Sequence, residues 1–123
     1  LSKMPEWEPS EDFIREYARR AKEKEERLAA RKKAALEKAR AVAELLKKKY
    51  GAEKVMLYGS LAGWSKFHER SDIDIMVWGF KGDFWRMQVE VEETALPFEC
   101  TVVCQEDALP SLRERVLAKG VEL

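Results

Sequence analysis

Apolar residues recur every seven positions through the first third of this chain, at Ile14, Ala21, Leu28, Ala35 and Val42. The companion row, Ala18, Glu25, Lys32, Ala39 and Leu46, is charged in its middle. Between Glu11 and Tyr50 there is no Gly or Pro, and Ala, Glu, Lys, Arg and Leu dominate, all good helix formers. Ser10 is a natural N-cap, and Glu11 and Asp12 complement the positive end of a helix dipole. Lys47, Lys48 and Lys49 suit the other end, and Gly51 suits the stop. The pattern predicts one long helix or two. KEKEER (Lys22–Arg27) and RKK (Arg31–Lys33) cannot both face a core. Leu36, Ala39, Val42, Ala43, Leu45 and Leu46 are therefore expected to pack on the domain. The part before about Ala30 becomes an arm that projects or folds back. Pairs such as Glu11–Arg15, Glu16–Arg20 and Glu23–Arg27 would support it in water. The arm is either a solvated helix or a surface for a partner helix. The first ten residues, with Pro5 and Pro9, read as irregular.

Beyond Gly51 the period shortens. Lys54–Tyr58 is a strand candidate ending at Gly59, and 60–71 a loop or short helix. Ile73–Trp78 is a second strand with Ile73, Ile75 and Val77 on one face. Gly79–Asp83 should turn. Phe84–Ala95 fits alternation through Met87, Val89 and Val91, and helical spacing through Phe84, Met87, Val91 and Ala95; Asp83 as a cap favours helix. Pro97 precedes a third strand, Phe98–Cys104. Pro110 suits the first turn of a last helix ending at Lys119, with Gly120 as its stop. The order α-β-β-α-β-α predicts an α/β class, a small mixed sheet with helices packed on it and a long charged N-terminal helical arm. Residues 1–34 are the tail and arm, and 35–123 the domain.

Composition narrows the function classes. The 123 residues fit one domain. Lys+Arg and Asp+Glu are both 23, for a net charge of zero, so no polybasic nucleic-acid binding is expected. No apolar run approaches the ~18–20 residues that span a bilayer. LSKMPEWEPS lacks the signal pattern, and the expected compartment is the cytoplasm. Cys100 and Cys104, four apart on one strand, sit ~13 Å from each other, too far for a disulfide. They are expected to be buried free thiols. Charged residues make up 37% of the chain, and Asn is absent. That is a thermophile pattern, and a melting midpoint above ~60 °C is expected.

The chemistry concentrates in VMLYGSLAGWSKFHERSDIDIMVW, Val55–Trp78. Asp72 and Asp74, two apart on a strand, point to one face. Two like charges side by side repel, and they coexist only with a compensating cation or full hydration. A hard Mg²⁺ with oxygen ligands and substrate phosphates is the usual answer. Glu99, on the third strand, can join them if that strand neighbours the second. A three-carboxylate site would hold one or two metals, and Glu99 could also take a proton. Ser60 has no evident base and is not read as a nucleophile. His68, the only histidine, is expected at the surface. Lys66 and Arg70 are surface charges or phosphate contacts, and Trp64 and Trp78 pack at the rim or stack on a base.

YGSLAGWSKFHERSDIDIMVWG resembles the signature of the DNA polymerase β-like nucleotidyltransferase superfamily, in its minimal nucleotidyltransferase branch. Gly59 and Ser60 match its turn, Gly63 its further glycine, Ser71 the residue before the paired acids, and Asp72 and Asp74 its metal ligands. LPFECTVV resembles the later strand with the third carboxylate, which places Glu99 there, where Asp is commoner. LRERVLAKGVEL resembles the closing helix and strand. Eleven residues separate Ser60 from Asp72 where ten is common, and Trp64 occupies the customary glycine slot. A one-residue insertion explains both.

The resemblance implies transfer of a nucleoside monophosphate, AMP if the donor is ATP, with release of pyrophosphate. Gly59 and Ser60 would hold the β,γ-phosphates, Gly63 and Ser71 would line the nucleotide site, and Asp72, Asp74 and Glu99 would bind Mg²⁺. Small members of this branch often pair with a helical HEPN protein in toxin–antitoxin modules, so a HEPN-type partner and an antitoxin role are expected, with homo-oligomers also open. The alternatives are a binding module that neutralises a partner by contact alone, and a transferase acting on a small molecule such as an antibiotic.

Overall fold

A computed structural model describes residues 10–123. The irregular start expected around Pro5 and Pro9 lies outside the described residues. The choice between one helix and two resolves to one. Helix α1 runs unbroken over Glu11–Tyr50, about 60 Å at 1.5 Å per residue. Ser10 caps it as expected, its Oγ accepting from the Phe13 N–H at 3.1 Å. Gly51 closes it in the left-handed conformation, its N–H reaching the Leu46 carbonyl.

The two ends of α1 live in different solvents. Ala35, Ala39, Val42, Ala43, Leu46 and Tyr50 are buried, while Leu36 and Leu45 are half-buried at the margin. The expected core face is therefore correct at its centre, one residue longer at its start through Ala35 and one turn longer at its end through Tyr50. Toward the start, Ile14 is 53% and Tyr17 68% exposed. Arg15 pairs with Glu11 and Asp12, and Glu16 with Arg19 and Arg20. Glu23 pairs back to Arg19 rather than forward to Arg27.

The remaining elements are β1 (Lys54–Tyr58), a short 3-10 turn (Ser60–Ala62), β2 (Ile73–Trp78), α2 (Phe84–Ala95), β3 (Cys100–Cys104), a second 3-10 turn (Gln105–Asp107), α3 (Pro110–Lys119) and β4 (Val121–Glu122). The alternation in Phe84–Ala95 is helical, with Asp83 capping Trp85 and Arg86 and Met87, Val91 and Ala95 buried. The third strand starts at Cys100, two residues later than expected, because the Phe98 N–H is spent closing a turn onto the Ala95 carbonyl. Sequence reading of the residues alone also missed β4, too short to carry a pattern; the resemblance anticipated it.

The four strands order as β3-β2-β1-β4. β2 runs antiparallel to β1 and parallel to β3, and β4 runs antiparallel to β1, giving the mixed sheet expected. One face of the sheet, with Val55, Leu57, Ile73, Ile75, Val77 and Val102, packs on α1 and α2. The other buries Met56 and Met76 beneath Val116 of α3. Both cysteines are buried free thiols, as expected. Among the described residues no helix is long and apolar enough to cross a membrane.

Candidate functional site

The chain reverses at the end of β1, and the reversal depends on what lies behind it. Gly59 has φ 76°, and a Cβ built there would stand 2.5 Å from Asp74 Oδ2. Any side chain would therefore be strained in backbone and would strike the carboxylate. The Gly59 carbonyl accepts from Ala62 and Trp64 N–H groups, both at 3.1 Å, which curls Ser60–Ala62 into the 3-10 turn. Gly63 ends it, its N–H on the Ser60 carbonyl and open space beside its α-carbon. The opening N–H groups of such a turn have no carbonyl behind them in the turn itself.

The connection from Trp64 to Asp72 is pinned at both ends. Trp64 Nε1 donates to the Lys119 carbonyl at 3.0 Å, its ring lies 5.6 Å from Tyr58, and the Arg115 guanidinium stacks on it at 4.5 Å. Trp64 thus anchors the loop against α3, in the rim packing that the sequence left open. At the other end Ser71 is buried. Its Oγ accepts from His68 N–H at 2.9 Å, and its own N–H reaches the His68 carbonyl at 3.0 Å. Ser71 thereby fixes the approach to Asp72. His68 is exposed, as expected.

Register assembles the acids. β2 and β3 pair Ile73 with Cys100 and Asp74 with Thr101, and Ile73 N–H donates to the Glu99 carbonyl at 2.9 Å. Extended one residue back, this register sets Asp72 alongside Glu99. On the other side Tyr58 of β1 stands opposite Asp74. Asp72 and Glu99 are exposed and Asp74 is half-buried. Among the described residues no three acidic, cysteine or histidine side chains lie close enough to hold a metal ion together. The geometry brings the aspartates and Glu99 to one strand end without closing a three-ligand cage. Glu99 also edges a separate hollow of about 430 Å³ with Thr101, Gln88 and Glu92.

The electrostatics of the corner are unresolved by the protein's own groups. Burial first, and the Asp72 charge second, push the Asp74 carboxyl above its ordinary range. Burial and then Asp74 raise the Tyr58 phenol, and the same two causes push the Cys100 thiol up to about 12. Three neighbouring groups are thus held toward their neutral forms, and among the described residues no cationic side chain pairs with Asp74. The oxygen donors at this strand end, the Asp72, Asp74 and Glu99 carboxylates, are of the type a hard divalent cation takes. The sequence reading missed Tyr58 and Thr101, whose positions beside Asp74 need strand register. The signal was present in the alternation of β1 and β3, but only pairing turns it into proximity.

The family model for the polymerase beta nucleotidyltransferase domain matches residues 40–123. Among solved structures, a minimal nucleotidyltransferase is 29% identical, with a TM-score of 0.55 and coverage of 80% of this chain and 94% of that one. The toxin-antitoxin MntA-HpeT, in a doubly aspartate-to-glutamate mutant form, is 21% identical. It has a TM-score of 0.55, covers 68% of this chain and 70% of that one, and speaks to the fold alone. No curated protein matches the chain.

Proposed function

The chain belongs to the polymerase β nucleotidyltransferase family, and from that premise we propose that it is a Mg²⁺-dependent nucleotidyltransferase. It moves AMP from ATP to a HEPN-type toxin partner in the cytoplasm and acts as its antitoxin. The observation that carries this reading is the close approach of Gly59 to Asp74, with Asp72 repelling Asp74 and no cation among the described residues pairing with it. The donor is held at the Gly59–Ser60 turn, bordered by Gly63 and Ser71. Asp72 and Asp74 would hold Mg²⁺ together with phosphate oxygens, and Glu99, the residue before β3, would complete the set. When bound there, Mg²⁺ would supply neutralisation of the charge that builds on the phosphate oxygens. The protein's own part is placement. The fixed turn presents N–H groups to the phosphates, and the rigid strand ends orient the carboxylates for in-line attack by the acceptor hydroxyl on the α-phosphorus. That attack breaks the bond to pyrophosphate, and Glu99 would accept the hydroxyl proton. The transferase unit is 35–123, with 1–34 as the region that meets the partner.

The test is incubation with α-labelled ATP, Mg²⁺ and the product of the neighbouring gene. Label is expected on the partner, and it is expected to vanish in Asp72→Asn and Asp74→Asn. A second reading, neutralisation by contact alone, is favoured by one observation, the lack of a closed three-ligand cluster among the described residues. It wins if no label transfers and both variants protect cells from the toxin as well as the wild type does.

A further inference from the structure

Three hollows run together between the arm of α1 and the loop that leads to Asp72. One, of about 560 Å³, lies between Lys24, Leu28 and Lys32 on the helix and Lys66 and Phe67 on the loop. The next, of about 360 Å³, shares Lys24, Leu28, Lys66 and Phe67 and continues over His68 and Arg70. The third, of about 330 Å³, adds Arg27 and Arg31. The result is a trough whose loop wall ends two residues before Asp72, through the Ser71 closure onto His68.

Its charges are distinctive. The cations Lys24, Arg27, Arg31, Lys32, Lys66 and Arg70 line it against two carboxylates, Glu25 and Glu69. Arg15, Arg19 and Arg20, further out on the same helix, are all in ion pairs. None of the six trough cations is in an ion pair among the described residues; Arg31 stacks instead on the Phe98 ring at 4.7 Å. A chain with zero net charge thus carries a local excess of unpaired cations along this trough. The floor is apolar, from Ala21, Leu28, Ala29 and Phe67.

We propose that this trough binds an acidic, partly apolar polypeptide segment of the acceptor and delivers its hydroxyl residue to the Asp72–Asp74 corner. The proposal rests on the nucleotidyltransferase reading for the delivery, though not for the binding. An aliphatic floor suits alternating Leu- and Glu-like side chains. Glu25 and Glu69 would oppose an unbroken row of phosphates, and Phe67, half-buried, offers little stacking surface for bases. Charge complementarity therefore favours polypeptide over nucleic acid.

The test uses two fluorescent probes on the whole chain, a peptide of alternating Glu and Leu around one Tyr, and an oligo(U) of equal charge. Fluorescence anisotropy is expected to show the peptide bound more tightly. Lys24→Glu with Lys66→Glu is expected to weaken it about tenfold or more, a change of about 1.4 kcal/mol or more. Added salt is expected to shrink the difference. Glu25→Lys with Glu69→Lys is expected to tighten it. Neutral Lys24→Gln with Lys66→Gln is expected to fall between, and serves if charge reversal disturbs folding by circular dichroism. The proposal is overturned if reversal leaves peptide affinity within about twofold, or if oligo(U) binds more tightly than peptide. It is also overturned if the trough is filled by a second copy, seen as a dimer that reversal dissociates. Asp74→Asn is expected to keep peptide affinity. If label transfer fails in the wild type while the trough variants still change peptide affinity, the transfer reading falls and the trough stands.

Discussion

The outer arm of α1 and the Gly59–Asp74 corner handle charge in opposite ways. On the arm, Glu11, Asp12, Glu16 and Glu23 are answered within a turn by Arg15, Arg19 and Arg20. At the corner, Asp74 is half-buried and faces Asp72, a charge of its own sign. A surface helix that pairs its own charges gains a little stability and a great deal of solubility. A corner that leaves charges unanswered loses stability, and such a loss persists where something from outside completes the set. The contrast separates a stretch whose charges are balanced within the helix from one whose balance is left open.

The sharpest way to break the contrast is Asp74→Asn. Label transfer is expected to fall about a thousandfold or more, while the protein melts at a higher temperature near neutral pH. The sign follows from the raised carboxyl. The unfolded chain gives up this proton at a lower pH than the folded one, so stability falls as pH rises through the interval between them. Above that interval the penalty is fully present, and the amide removes it. Below the ordinary carboxylate range the advantage of the variant should vanish, which melting curves across pH will check. Mg²⁺ is expected to raise the wild-type midpoint and to leave that of the variant nearly unchanged.

Leu46→Ala tests the buried end of α1. A fully buried leucine at the centre of the core should cost about 2–5 kcal/mol in denaturant melts. Leu28→Ala, half-buried on the same helix, should cost under about 1 kcal/mol. Gly59→Ala comes next. The left-handed φ and the collision with Asp74 should cost about 1–3 kcal/mol, with activity lost through displacement of the carboxylate. The smallest effect is expected for Glu16→Ala, which removes two exposed arginine partners and should change stability by about 0.5 kcal/mol or less. If Glu16→Ala were as costly as Leu46→Ala, the arm would be part of the core and the comparison would fail.

Much of this could be read from the sequence because local rules decide it. Ser10 and Gly51 bracket α1, Asp83 caps α2, and Pro110 opens α3, all through backbone chemistry within a few residues. The Gly-Ser turn and paired aspartates were legible because their spacing is itself the signal. What stayed hidden depends on pairing across the sheet and on packing between distant segments. Phe98 reads as strand by type, yet its N–H closes the end of α2. Tyr58 is an ordinary strand-end tyrosine until register sets it opposite Asp74. Trp64 looks like an interruption of a glycine-rich loop, until the Lys119 carbonyl fifty-five residues on accepts its indole N–H. The trough was invisible for the same reason, since Lys24 and Lys66 meet only when α1 is laid over the loop.

The continuity of α1 has one more consequence. A 40-residue helix without glycine or proline is a lever with its fulcrum in the core. It has no glycine or proline at which the outer half could swing independently, and the turns nearest Lys24 that are seated on the domain are those of Ala35 and Ala39. Repacking around those two alanines is thereby a way of adjusting the gap between Lys24 and Lys66 that the proposed acceptor segment would enter.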